Sequence, residues 1–414
     1  MADQNLNFHP FSALRFRDFR LLYLGLLISR IGSEMQVVAV SWQIYILSGN
    51  PLSLGLIGLS RFLPVVLFSL IGGIAADRFD RRKVMMVSQI VMTCLSLMLA
   101  FTTRSGTITA LFIYIMVAAN SLAGVFDTPA RQSVVPLLVP KKEFVNAVSL
   151  SSAIWNMAVV LGPSISGFII AGIGIDKVYF INAFTFLISI ITLLMMKKIN
   201  KETSTISSLS LSALTEGLRF VFKTPLIYSS MLLDFFATFF SSATVLLPVF
   251  AKDILMVGPQ GLGILYAAPS LGAITGGLFV STFPNIKNQG KLLIGSVFFY
   301  GAATFLFGFS RNFTVSLIFL YLTGLGDVIS SIIRNTIRQL NTPDHLRGRM
   351  VAVNMVFFYG GPQLGEAEAG LLAALIGAPL SVAVGGVGTI VVTAVVAYLV
   401  PALRKYRRND VIMS

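Results

Sequence analysis

Twelve stretches of roughly 20 mostly apolar residues run along this 414-residue chain, and no other feature of the sequence narrows its fold as far. They fall near 19–47, 53–76, 84–103, 107–128, 146–171, 177–196, 225–250, 262–282, 291–309, 313–333, 350–373 and 380–402. A helix rises about 1.5 Å per residue, so about 20 apolar residues cross a hydrocarbon layer about 30 Å thick. Barrel strands are shorter and alternate apolar with polar residues, whereas these stretches are continuously apolar. Only 12% of the residues are charged, against about 25% in soluble domains. The gaps leave little chain for a soluble domain. The expected fold is an all-α membrane protein of twelve transmembrane helices.

The net charge of +14 raises nucleic acid as a partner, but its distribution argues against one. With the N-terminus cytoplasmic and each stretch crossing once, 25 of the 31 Lys and Arg fall in cytoplasmic segments and helix ends, Arg131, Arg334 and Arg338 among them. Four fall on the opposite side, Arg104, Lys177, Lys252 and Arg311, and Arg30 and Arg61 fall inside helices. That asymmetry is the positive-inside rule, not the clustered basic face that nucleic acid requires. It predicts a multi-pass protein of the bacterial inner membrane with both termini cytoplasmic. No cleavable signal peptide is read at the polar N-terminus. Cys94 is the single cysteine, so no intramolecular disulfide can form. His9 and His345 have no metal-ligand cluster around them; no metal or cofactor is expected.

A polar stretch near 197–224, rich in Ser and Thr, divides the helices six and six. It reads as a cytoplasmic linker between an N-terminal bundle, 1–196, and a C-terminal bundle, 225–414. The halves repeat a pattern. Asp127 near a helix end is followed by a basic loop and then Gly162-Pro163; Asp327 is followed by a basic loop and then Gly361-Pro362. Paired six-helix repeats are a transporter architecture, with a substrate site near midplane and alternating access. Proline removes a helix hydrogen bond, so Gly162, Pro163, Gly361 and Pro362 are expected helix kinks.

The loop "GGIAADRFDRRKV" matches the pattern G-x-x-x-D-R-x-G-R-R at Gly73, Asp77, Arg78, Arg81 and Arg82, with Asp80 where glycine is usual. With "FDTPARQSVVPLLVP", "LLDFFATFFSSATVLLPVFAKDIL" and "TPDHLRGRMVAVNMVFFYGGPQLGEAEAG", it resembles the major facilitator superfamily over nearly the whole chain. The resemblance extends to its drug:proton antiporter branch, which contains the enterobactin exporter and related bacterial efflux proteins. It implies two pseudo-symmetric six-helix bundles. It also implies a gating role for the Asp77 loop, by a charge-assisted bond from Asp77 towards Arg347 and Arg349. The corresponding second-half loop, "STFPNIKNQGK", lacks the Asp-Arg core.

Charges in hydrocarbon need a partner or a water-lined route, so each one is a candidate site. Arg30 and Glu34, four apart, share a helix face and read either as a proton or substrate site or as a self-neutralising pair. Asp234 lies deep in "MLLDFFATFF" and must be protonated or paired. Glu366 and Glu368 lie about 200° apart around their helix, so both cannot face one cavity; Glu366, beside the Gly361-Pro362 break, is preferred for coupling. Arg61 and Glu368 are candidate substrate contacts or charge partners. Asp127, Arg131, Asp327 and Arg334 are expected to form gating ion pairs.

No nucleophile–base–orienter set is apparent, so no catalytic residue and no enzyme are expected. The absence of GxxxxGK[ST] argues against ATP-driven transport by this chain alone. The sequence therefore predicts a secondary transporter, exporting a siderophore or amphipathic drug by proton antiport. Its expected partners are substrate, protons and bilayer, and it is expected to act as a monomer. Two alternatives stay open: an importer of an iron chelate or a lipid translocator on the same fold, and a membrane sensor or scaffold that transports nothing.

Overall fold

The computed structural model describes residues 11–197, 211–283, 286–343 and 346–407, with the side chains of 70, 76, 77 and 211–214 outside that set. The described residues contain helices and no strand. The first half holds α1 (Arg17–Ser48), α2 (Leu52–Arg78), α3 (Arg81–Arg104), α4 (Ala110–Leu138), α5 (Phe144–Ile173) and α6 (Ile175–Met195). After α7 (Leu211–Lys223) come α8 (Pro225–Phe240), a short α9 turn (Leu247–Val249), α10 (Gly258–Ser281), α11 (Gln289–Phe309), α12 (Phe313–Leu340), α13 (Arg347–Ile376), α14 (Ala378–Leu399) and α15 (Pro401–Lys405). Eleven segments are long and apolar enough to cross a membrane. The twelfth, α13, has the length at 30 residues, but Gln363, Glu366 and Glu368 lower its apolarity. The chain is thus a multi-pass helical membrane protein with twelve spanning helices in two pseudo-symmetric halves.

The repeat shows in how helices end. Gly174 closes α5 at φ 104° and Gly377 closes α13 at φ 87°, and in each case the next helix starts at once. A side chain rarely adopts this left-handed backbone, so glycine is what permits these one-residue reversals.

Three features depart from the apolar pattern. First, α4 and α12 continue past their apolar stretches to Leu138 and Leu340. Arg131, Arg334 and Arg338 therefore sit inside helices, at 8%, 1% and 2% exposure, rather than in solvated cytoplasmic segments. Hydropathy falls where charge begins, but a charge paired within the bundle does not end a helix. Second, the span after Pro225 is broken. Following α8 come a 3₁₀ turn at Ala243–Leu246, then α9, then a π turn at Phe250–Ile254. Third, the linker stretch carries α7, which is docked. Val221 of α7 lies in a core with Ile227, Met231, Met350 and Val353, and Glu216 pairs with Arg349.

Two compact units emerge: residues 1–40 with 63–204, and 41–62 with 205–414. In the first, the Gln36 carbonyl accepts from Ser96 at 2.9 Å and from Asn182 at 2.7 Å, joining α1, α3 and α6. Such interhelical polar bonds hold membrane bundles, where lipid supplies no hydrophobic drive. Asp80 caps α3, accepting from the backbone of Arg82 at 3.0 Å. In the second unit, Leu233, Ala237, Leu293, Val297, Ile333, Ile337 and Leu403 form an apolar core joining α8, α11, α12 and α15.

Candidate functional site

Among the described residues, the densest buried charge lies in the second unit, where α8 and α12 meet. Asp234 of α8 accepts from two arginines of α12, Arg334 at 2.9 Å and Arg338 at 3.4 Å. All three are almost fully buried. Arg338 is held further by the Arg334 carbonyl at 3.2 Å, by Asn335 at 3.2 Å and by Asn354 of α13. Asp327 completes the set, 3.6 Å from Arg334. With every group ionised, two cations face two carboxylates, and the cluster is neutral. Neutrality is what makes burial tolerable, because a lone ion in this environment costs several kcal/mol.

The two carboxylates are held differently. Asp234 is gripped on both oxygens, and its side chain is 4% exposed. Asp327 has its arginine beyond hydrogen-bond reach, and its side chain is 45% exposed. It opens on a cavity of about 240 Å³ lined by Thr238, Ser241, Ser242, Thr244, Thr304, Thr323 and Tyr300. The break in α8 shapes this cavity, because it turns Ser241, Ser242 and Thr244 towards it. The Ser242 hydroxyl also donates to the Pro362 carbonyl of α13 at 3.2 Å. Close helix approach supports the wall. A Cβ on Gly365 would lie 2.2 Å from the Phe239 carbonyl oxygen, and one on Gly361 would lie 2.4 Å from the Thr238 hydroxyl.

A second acid in this unit is also loosely held. Glu366 stands 3.9 Å from Arg61, and its Oε2 is buried with no hydrogen-bond partner among the described residues. Gly58 makes room for it; a Cβ there would lie 2.7 Å from the Glu366 Cβ. Glu368, two residues on, is half-buried and shares no ion pair with it among the described residues. Phe235, Phe236, Phe239 and Phe357 form an aromatic cluster where α8 passes α13.

In the first unit the charges are self-contained. Arg30 and Glu34 pair at 2.8 Å, and the Arg30 guanidinium lies 3.8 Å over the Trp155 ring. A Cβ on Gly162 would lie 2.6 Å from the Glu34 Cβ, so glycine is required where α5 crosses α1. Asp127 and Arg131 form a bidentate pair on one face of α4, and Gln89 of α3 donates to Asp127 at 3.2 Å. In the α2–α3 loop, Arg81 donates to the Ser133 carbonyl at 3.4 Å and Arg82 to the Leu194 carbonyl at 2.7 Å. Arg78 ends α2. The Asp77 side chain lies outside the described residues.

The structure thus joins Asp234, read from the sequence as a coupling candidate, to Asp327 and Arg334, read there as gating residues. It pairs Arg61 with Glu366 and ties Arg349 to Glu216. Arg347 begins α13. Arg338 and Asn354 were not singled out from the sequence. A signal existed for the first: residues 327, 334 and 338 follow i, i+7, i+11 spacing and share one helix face. Asn354 carries no such signal.

Twelve spanning helices in repeated halves, with neutral charge clusters buried inside them, define a transporter of the major facilitator fold. The chain belongs to the family described as transmembrane secretion effector (MFS_3), whose model matches residues 8–414. It is 25% identical over 363 residues to the multidrug efflux pump Tap of Mycolicibacterium fortuitum, covering 85% of this chain and 88% of that one. It is 26% identical over 395 residues to the enterobactin exporter EntS of Salmonella choleraesuis (strain SC-B67), covering 94% of each. Among solved structures, a bacterial homolog of the human lysosomal transporter Spinster, inward-facing and occupied, superposes with a TM-score of 0.75 at 15% identity, covering 97% of this chain and 98% of that one. The nucleoside transporter NupG gives 0.70 at 16%, covering 94% and 99%. At such identities the structural likeness is one of fold. Family membership makes this a transport protein rather than an enzyme.

Proposed function

We propose that this protein is a proton-coupled exporter of a small organic molecule, a siderophore or an amphipathic drug, acting as a monomer in the bacterial inner membrane by alternating access. The observation that carries the coupling is Asp327. It faces a cavity lined by hydroxyls together with Ala243, Pro269, Leu320 and Pro362, while the arginine beside it is engaged more closely by Asp234. An acid in that position can take up a proton while Arg334 keeps its hydrogen bond to Asp234; the cluster then carries one net positive charge, which returns to zero when the proton leaves. Asp234 lies between two arginines, and protonating it would take from Arg338 its closest carboxylate. Glu366, whose Arg61 stands at 3.9 Å, beyond hydrogen-bond distance, is the second candidate acid. Asp127 and the Arg30–Glu34 pair hold their cations at hydrogen-bond distance and serve structure or gating. The direction and the substrate class are supported by the efflux and exporter names of the relatives. The inner-membrane placement, with both termini cytoplasmic, is supported by the charge asymmetry.

The test is purified protein in liposomes with an imposed pH gradient, assayed against siderophores, macrolides and lipophilic cations. Substrate movement that grows with the gradient and carries protons the opposite way is the expected result. Substrate flux indifferent to the gradient would remove the antiport. Protein that moves none of the panel, with or without a gradient, would remove the substrate class.

A further inference from the structure

A second cavity, of about 590 Å³, has no acid in its lining. Asn288 and Lys291, from the start of α11, line it with Arg404, Lys405, Tyr406 and Arg407. Four cations converge there. Residues 286–309 and 378–407, which include all of its lining segments, contain no Asp or Glu. A positive topology signal needs only charge, on any flexible segment. Here the charges stand on a fixed backbone. A Cβ on Gly290 would lie 1.9 Å from the Leu403 carbonyl oxygen, so the start of α11 is pressed against α15. The Gly290 amide donates to the Tyr406 carbonyl at 3.0 Å. The Tyr406 hydroxyl accepts from Asn341 at 2.9 Å. Leu403 and Tyr406 are buried in the apolar core, which anchors the short helix between them.

The second observation is apolar. Leu380, Val384, Val387, Val391, Val395 and Tyr398 are all exposed, from 44% for Val387 to 79% for Tyr398. Their spacing of three and four residues makes one continuous stripe along α14, which ends just before the basic α15. An anionic headgroup in the cavity would place its acyl chains beside that stripe. Soluble phosphate would have no use for it.

We propose that this cavity is a binding site for the headgroup of an anionic phospholipid, with Lys291, Arg404 and Lys405 as its principal cations. Basic pockets flanking membrane helices hold such headgroups by charge, with each cation near the surface contributing a several-fold gain. The site is independent of substrate and of proton coupling.

The experiment measures lipid retained by detergent-purified full-length protein, using native mass spectrometry and fluorescent phosphatidylglycerol against fluorescent phosphatidylcholine. Wild type should prefer phosphatidylglycerol. The triple substitution Lys291→Gln, Arg404→Gln, Lys405→Gln should weaken that binding by about tenfold or more. Gly290→Ala keeps every charge but displaces α15, and it should weaken binding as well. Removing three cations elsewhere, Arg15→Gln, Arg17→Gln and Arg20→Gln, should leave binding unchanged. Equal loss in that control, or full binding by both the triple and the Gly290→Ala variants, would overturn the proposal. So would competition by inorganic phosphate as strong as that of the lipid, which would mark a soluble-anion site.

Discussion

Distance separates the acids into two groups at the residue scale. Asp234, Glu34 and Asp127 each hold one arginine at 2.8–2.9 Å, whereas Asp327 and Glu366 have theirs at 3.6 and 3.9 Å. A charge-assisted hydrogen bond forms in the first group and not in the second. Asp327→Asn is therefore expected to leave the folded protein intact and to abolish gradient-driven efflux, read in proteoliposomes beside wild type. Arg334→Ala should instead cost stability, about 3–5 kcal/mol, because it strips a buried carboxylate of its closest partner; thermal unfolding in detergent measures it. The loop motif gives a finer case. Asp80 stands where the superfamily pattern has glycine, and it caps α3 through its side chain. Asp80→Ala should cost about 1 kcal/mol, whereas Asp80→Gly should cost only a few tenths, since glycine is itself a tolerable N-cap. The sequence exposed each of these charges. It did not say which pairs would close to hydrogen-bond distance, because that depends on side chains from helices far apart in the chain.

Elements here are shaped by small residues and by breaks. The cavity beside Asp327 exists because α8 stops at Phe240 and the chain re-enters helix only after a 3₁₀ turn. Ser241-Ser242 and Pro248 were visible hints of that interruption, but the uninterrupted apolar run from 225 to 250 masked it. Gly365 is where α13 meets this break, with the Phe239 carbonyl oxygen 2.2 Å from a would-be Cβ. Gly365→Leu should push the helices apart, costing about 1–3 kcal/mol or more and lowering the monodisperse fraction recovered on size exclusion. The extended ends of α4 and α12 carry the complementary lesson. An apolar window ends at the first cluster of charges, yet the backbone remains helical wherever the bundle supplies a counter-ion for each charge.

At the scale of the whole molecule, a prediction follows from charge alone. The charge asymmetry predicts cytoplasmic termini, so a fluorescent protein fused to the C-terminus should fold and fluoresce, while alkaline phosphatase fused there should be inactive; the reverse pair of results would invert the topology. The spanning helices, the twofold repeat and the superfamily were legible in the sequence, because hydrocarbon imposes its demand residue by residue. A segment is apolar for about 20 residues or it does not cross, and a repeated pattern keeps its spacing wherever it folds. The functional interior was legible only as a set of expensive charges. That Asp234 bonds both Arg334 and Arg338, that Asp327 opens on a cavity, and that Arg61 comes near Glu366 were decided by tertiary packing. The energy of a buried charge depends on what lies within a few ångströms of it, and chain order does not fix that distance.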